Sequence, residues 1–277
     1  MSRPIRAALG IALALASTAA VAGPQEDARA QNAVRVLTDI QAIPESAIPD
    51  KLFDEARAVL VVPDAIKAGL VIGGRRGHGL LSIKAADGTW SNPAFVTLTG
   101  GSIGFQAGVQ SADIVLVFRS ERGLESIVNG KFTLGADAGV AAGPVGRNAS
   151  AATDGEMKAE IWSWSRARGL FAGVALDGAV LSIDDAADES VYGRDTTPRM
   201  IFESRAPQAP SPDVVSFRDA LEEASATARA RRTESDAPAA SPAAAPMNAP
   251  APAASTPATT APATTTPLPD ATPPPVQ

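Results

Sequence analysis

Between Thr99 and Gly178, apolar and small residues alternate with a period of two. Ile103, Phe105, Ala107 and Val109 share one parity, set against Ser102, Gly104, Gln106, Gly108 and Gln110. Phe132, Leu134, Ala136, Ala138, Val140 and Ala142 form a second such series against Thr133, Gly135, Asp137, Gly139, Ala141 and Gly143. This is the period of a half-buried strand. Glycine weakens a strand, because it costs entropy and packs nothing. Its repetition on one strand face predicts that another backbone or a flat surface comes close. Further strands are predicted at Ala58–Val62, closed by Pro63, and at Gly69–Gly73, Leu80–Lys84, Phe95–Leu98 and Ile114–Phe118. Ile161–Ser165, Leu170–Leu176 and Ala179–Ile183 complete the set. Asp87-Gly88 and Asp177-Gly178 are hairpin-turn signals.

Helical spacing brackets this region. Ala30, Ala33, Val34, Leu37 and Ile40 recur at three- and four-residue steps until Pro44 ends the helix. A short second helix starts near Pro49 and carries Leu52 and Phe53. A third spans Glu121–Asn129 and stops at Gly130. A last helix over Asp213–Arg229 carries Val215, Phe217 and Leu221. Many short strands with helices at both ends predict an α+β fold: mainly an antiparallel β barrel or sandwich of short Gly-rich strands with flanking helices. Asn148–Lys158 is polar and reads as an exposed loop.

The two ends differ from the middle. Residues 1–22 read as a signal peptide. Arg3 and Arg6 precede the apolar Ala7–Ala16, and Ala20-Val21-Ala22 offers a small-residue cleavage site. The expected location is therefore exported, periplasmic or associated with the cell envelope. Residues 23–231 form the predicted folded domain. Residues 232–277 are almost wholly Ala, Pro and Thr and read as a disordered tail, because they lack apolar periodicity. A solubilising role and a spacer role both fit that tail.

Charge and chemistry narrow the function. The chain has 24 Lys and Arg against 30 Asp and Glu, a net charge of −6. Loss of residues 1–22 removes two basic residues and no acids, which gives −8. That balance argues against nucleic acid as a partner, and any anionic partner must meet a local basic patch. With no cysteine, disulfides and lipidation at a mature N-terminal cysteine are excluded. The single histidine, His78, lies in Gly73-Gly74-Arg75-Arg76-Gly77-His78-Gly79 and reads as a turn residue beside glycines. This segment lacks the Lys-Ser or Lys-Thr ending of a phosphate loop. Asp184, Asp185, Asp188 and Glu189 read as a solvated helix start, with acids at the positive end of the dipole. The residues therefore assign no catalytic group, no metal site and no cofactor, and an enzyme has no positive support.

An ordered series of motifs runs through the middle of the chain. It begins with Gly69-Leu70-Val71-Ile72-Gly73-Gly74 and Trp90-Ser91-Asn92-Pro93-Ala94-Phe95. It continues through Gly100-Gly101-Ser102-Ile103-Gly104-Phe105-Gln106-Ala107-Gly108, Leu134-Gly135-Ala136-Asp137 and Ala142-Gly143-Pro144-Val145-Gly146-Arg147. It closes with Ser165-Arg166-Ala167-Arg168-Gly169-Leu170-Phe171-Ala172-Gly173-Val174 and Tyr192-Gly193. The series, from about Ile43 to Gly193, resembles the SYLF-domain family. That resemblance implies non-catalytic binding of anionic phospholipid at a membrane surface, with phosphoinositide head groups in eukaryotic members. Some of those members bind actin, a partner that an exported chain does not meet. The chain is similar to bacterial secreted members that carry the domain alone.

The residues offer two candidate lipid-binding sets. Lys67, Arg75, Arg76 and Lys84 surround the first glycine-rich strands and are expected to form one basic patch. Arg147, Arg166 and Arg168 form a second set. Each cation near an anionic bilayer contributes roughly 1 kcal/mol. Val34, Leu37 and Ile40 of the first helix are the candidate membrane-contact residues. The alternative class is a structural or protein-binding envelope factor with the tail as a flexible spacer. An outer-membrane barrel is disfavoured by the single tyrosine and the helices between strands.

Overall fold

The computed structural model describes residues 23–42, 47–69, 72–103, 108–120, 122–143, 159–167, 170–174 and 176–236. The expected signal peptide, the 148–158 loop, most of the tail and the strand positions 104–107 lie outside these residues. Among the described residues, no helix is long and apolar enough to cross a membrane.

The fold is α+β, as its patterning predicts. Helix α1 (Pro24–Ala42) and the short α2 (Asp50–Asp54) lead into four long strands. These are β1 (Ala58–Gly69), β2 (Ile72–Ile83), β3 (Ala94–Ile103) and β4 (Gly108–Phe118). Helix α3 (Arg122–Val128) is followed by short strands β5 (Lys131–Thr133) and β6 (Val140–Ala142). Then come β7 (Ile161–Ala167), β8 (Leu170–Gly173) and β9 (Val180–Ile183). Helices α4 (Asp185–Tyr192), α5 (Pro198–Phe202) and α6 (Pro212–Asp236) close the described chain.

All nine strands join one curled, half-barrel sheet in the order β5-β9-β3-β2-β1-β4-β7-β6, with β8 on β7. Every pairing is antiparallel except β6 with β7. Alternation along the strands feeds two cores, one on each face. On one face Val59, Val61, Leu80, Phe95 and Val115 pack under α1, α2, α4 and α6. On the other, Leu60, Leu81, Leu98, Leu116 and Phe118 meet Ile127 of α3 and Phe132, Leu134 and Leu181 inside the curl.

Several boundaries depart from the sequence reading. Pro63 does not end β1. The strand passes through an irregularity between Val62 and Ala65, where Asp64 adopts a positive φ of 50°. The Asp64 N–H lost to the ladder donates to Asp113 Oδ1 at 3.0 Å. Gly73–Gly79 is not a turn but part of β2, so His78 is a mid-strand residue. The expected strand at Phe132–Ala142 is broken into β5 and β6. Gly135, with φ of 87°, lies between them in a turn that directs Asp137 Oδ2 to the Thr133 N–H at 2.6 Å. Helix α6 runs to Asp236, so residues 232–236 are helical rather than part of the tail.

Candidate functional site

The two outer ladders stop short of one end of the sheet. β9 pairs with β3 only over Val96–Thr99, and β7 pairs with β4 only over Asp113–Phe118. Beyond those rows, the described ladders are those among β3, β2, β1 and β4. Burial fades along β1 in the same direction. Ala58–Pro63 are buried, whereas Ile66 and Ala68 are exposed and Lys67 is half-buried. Ile66 is 52% exposed and Val109 is 75% exposed, the exposed large hydrophobic residues among those described.

Register separates the charges at this end into two faces. Lys67 lies opposite Arg75 on β2 and Gln110 on β4, so these three share a face. Arg76 lies opposite Ile66 and Thr99 and points to the other face. Ala68, Val109, Gly74 and Gly101 lie on the Arg76 face. Among the described residues, no carboxylate pairs with Lys67, Arg75 or Arg76. Burial lowers the pKa of Arg75 from the usual arginine value.

The expected single basic patch is therefore corrected. Lys84 lies near the opposite end of β2, next to Ile83. Its Nζ donates to the backbone oxygens of Phe53 at 3.3 Å and Asp54 at 2.9 Å, and sits 5.0 Å from the Trp90 ring centre. Burial, opposed by Asp54 and reinforced by Arg229 and Arg57, brings its pKa down to about 8. Lys84 thus ties α2 to the sheet, away from Lys67, Arg75 and Arg76.

Arg166 is likewise committed to the fold. It bonds Asp113 Oδ2 at 2.7 and 2.9 Å, pairs with Asp39 of α1, and lies 5.1 Å from the Phe171 ring centre. Burial opposes its charge, but the hydrogen bonds it donates to Asp113 and Asp39 outweigh that and raise its pKa. Arg35 adds contacts to Asp39, Asp113 and Asp64 at 3.5 to 3.8 Å. Arg147 and Arg168 lie outside the described residues.

The first helix also differs from its expected role. Leu37 and Ile40 are buried under α6 and over the sheet, and Val34 packs half-buried against the same core. Their apolar stripe is used inside the protein, which corrects its assignment as a membrane-contact surface.

A cleft of about 610 Å³ opens between the first half of α1 and the β1–β2 hairpin. Ala28 of α1, with Pro63, Ile66 and Ala68 of β1 and Gly74 of β2, supplies apolar walls. Arg75, Arg76, His78, Arg29 and Asp64 supply charge, and Gln25 and Asn32 supply amide groups. Asp184 organises one side of it. Its Oδ2 accepts from Arg29 Nη1 at 3.3 Å and lies 3.2 Å from His78 Nδ1. Its Oδ1 caps α4 through the Ala187 N–H. The sequence reading placed these acids in solvent, but Asp188, one turn on, is fully buried. The signal missed was helical phase: Asp188 falls on the face of α4 that also carries Ala187, Val191 and Tyr192. Among the described residues, no group of His, Asp and Glu is arranged to hold a metal ion.

Comparison with known proteins places this architecture. Residues 99–224 match the family model described as Ysc84, Las17-binding protein actin regulator. An SH3 domain-containing protein of Schizosaccharomyces pombe is 36% identical over 173 residues, 61% of this chain and 40% of that protein. Protein YSC84 of Saccharomyces cerevisiae is 32% identical over 172 residues, 61% of this chain and 36% of the relative. SH3 domain-containing YSC84-like protein 1 of Rattus norvegicus is 30% identical over 185 residues, 65% and 54% respectively. The chain thus spans roughly a third to a half of the length of these relatives.

Proposed function

We propose that this chain, whose residues 99–224 match the Ysc84 family model and whose motif series resembles the SYLF-domain family, is a non-catalytic module docking on anionic phospholipid at a membrane surface of the cell envelope. The observation that supports this most is the Lys67–Arg75 pair, side by side across β1 and β2 with no described acid beside it. The pair sits where the sheet runs past its outer strands and exposes Ile66 and Val109. Docking end-on lets both faces of that sheet end touch lipid. Lys67 and Arg75 meet phosphates from one face, Arg76 meets them from the other, and the apolar side chains enter the head-group layer.

Two cations at roughly 1 kcal/mol each give about 2 kcal/mol, or roughly thirtyfold in affinity. Burial of an exposed Ile or Val adds about 1.5–3 kcal/mol for each side chain fully withdrawn from water. The test is co-sedimentation with phosphatidylglycerol-containing vesicles and with pure phosphatidylcholine vesicles at 0.15 M salt. The full chain is expected to pellet with the anionic vesicles only, and Lys67→Gln/Arg75→Gln to bind them 10- to 30-fold more weakly. Equal pelleting with both vesicle types removes the proposal.

A second reading, docking of a protein partner, draws support from relatives whose family description names Las17 binding and actin regulation. Actin itself is not proposed for a chain with an expected export signal. Retention of a specific protein by the full chain, lost on Val109→Lys but not on Lys67→Gln/Arg75→Gln, would favour this second reading.

A further inference from the structure

The cleft beside α1 has a shape that surface docking alone does not use. Its walls are smooth because small residues line them. Ala28 faces it from α1 and Ala68 from β1, and nothing lies within 4 Å of the position a Gly74 side chain would occupy. The β1 and β2 backbones flanking it pair at Ile66 with Arg76 and at Ala68 with Gly74, and the register is interrupted between Val61 and Ile66. Gln25 and Asn32 add amide groups to the lining, while Ala28, Pro63, Ile66 and Ala68 offer a hydrocarbon chain contacts that need no hydrogen-bond partner. The volume, about 610 Å³, lies within the usual range for small-molecule pockets.

The charged groups at the cleft are not equally available. Arg29 and His78 are both turned to Asp184. Asp64, the acid of the lining, has Arg35 at 3.8 Å. Arg76 is exposed and has no ion-pair partner among the described residues. Arg75 also borders the cleft but is half-buried, so Arg76 is the exposed uncommitted cation beside an apolar trough. That arrangement matches a guest with an acidic group and a long apolar tail.

We infer that this cleft receives one acyl chain of an anionic lipid, with Arg76 holding the acidic group at its mouth. The inference rests on the proposed membrane docking for the source of the chain, since docking brings the cleft to the bilayer. It adds a selectivity that surface charge lacks, because a lipid is then recognised by its tail as well as its head.

The experiment titrates the full chain with cis-parinaric acid, a fluorescent fatty acid, below its aggregation threshold. Fluorescence is expected to rise and saturate at one probe per chain. Gly74→Leu is expected to weaken binding at least tenfold by filling the trough. Its fold should persist, because Gly74 has open space around it and no positive φ, and far-UV circular dichroism verifies this. Arg76→Gln is expected to abolish the wild-type preference for the acid over its methyl ester while leaving ester affinity unchanged.

A signal that does not saturate, or one unaltered by Gly74→Leu, overturns the inference. The vesicle assay separates it from the docking proposal. Saturable probe binding without pelleting on anionic vesicles leaves the cleft standing and the docking proposal overturned. Pelleting without saturable probe binding does the reverse.

Discussion

Asp188 shows how much a single buried carboxyl can impose on the fold. Its Oδ1 accepts the Phe95 N–H at 2.7 Å, while Oδ2 is buried with no hydrogen-bond partner. Burial, with Asp184 and Asp185 adding to it against the Phe95 N–H, pushes its pKa from 3.8 up to about 8. Tyr192 on the same helix face is also pushed up, by burial first and by Asp188 second, and its hydroxyl donates to Pro93 O at 2.7 Å. The folded state therefore keeps a proton that the unfolded chain releases. The stabilisation is fully present below pH 4 and is lost as pH rises towards 8. The slope is on the order of 1.4 kcal/mol per pH unit for one proton. Asp188→Asn should match the wild type at pH 4, lose that decline and be the more stable protein at pH 8. Urea denaturation at both pH values decides this, and parallel pH profiles for the two proteins would contradict it.

At the scale of the elements, glycine is used in the way the alternation suggested, but at particular places. A Cβ on Gly143 would collide with the indole ring of Trp164, which is fully buried. Gly173 in turn lies against the Gly143 backbone. This three-layer contact fixes how β6, β7 and β8 close one side of the sheet. Gly143→Ala should therefore displace the Trp164 ring and destabilise the fold by about 1–3 kcal/mol. A fall in thermal midpoint and a change in tryptophan fluorescence are the expected readouts, and an unchanged midpoint would refute the contact argument.

The helices and most strands were legible because their apolar spacing is local. α1, α2 and β9 follow from residues within one turn or one strand of each other. Non-local satisfaction was not legible. β1 continues past Pro63 with the Asp64 N–H donating to Asp113, 49 residues away, and with β2 and β4 pairing resumed beyond it. The commitment of Arg166 to Asp113 and Asp39 likewise depends on residues 53 and 127 positions away. A cluster of basic residues in sequence therefore spread over both faces and both ends of one strand pair. The Lys67–Arg75 neighbourhood needed only the β1–β2 register, yet strand faces could not be assigned without knowing that β2 runs through the glycines.

At the scale of the whole molecule, local and global charge pull in opposite directions. The chain carries a net −6, so its body is repelled by an anionic bilayer that Lys67, Arg75 and Arg76 attract. Screening length decides which prevails. At 0.01 M salt it is about 30 Å, long enough for the acidic body to oppose approach. At 0.15 M it is about 8 Å, which screens the body but spares contacts made at the sheet end. At 1 M, about 3 Å, those contacts are screened as well. Binding to phosphatidylglycerol vesicles should therefore pass through a maximum near physiological salt instead of falling steadily from the lowest salt upward. Lys67→Gln/Arg75→Gln should flatten that maximum, because it removes the short-range attraction and leaves the body's charge in place. Co-sedimentation at the three salt concentrations reads the curve directly. A steady decline from 0.01 M in the wild type would mean that the positive field at the sheet end outweighs the acidic body at every range, and the balance argued here would be wrong.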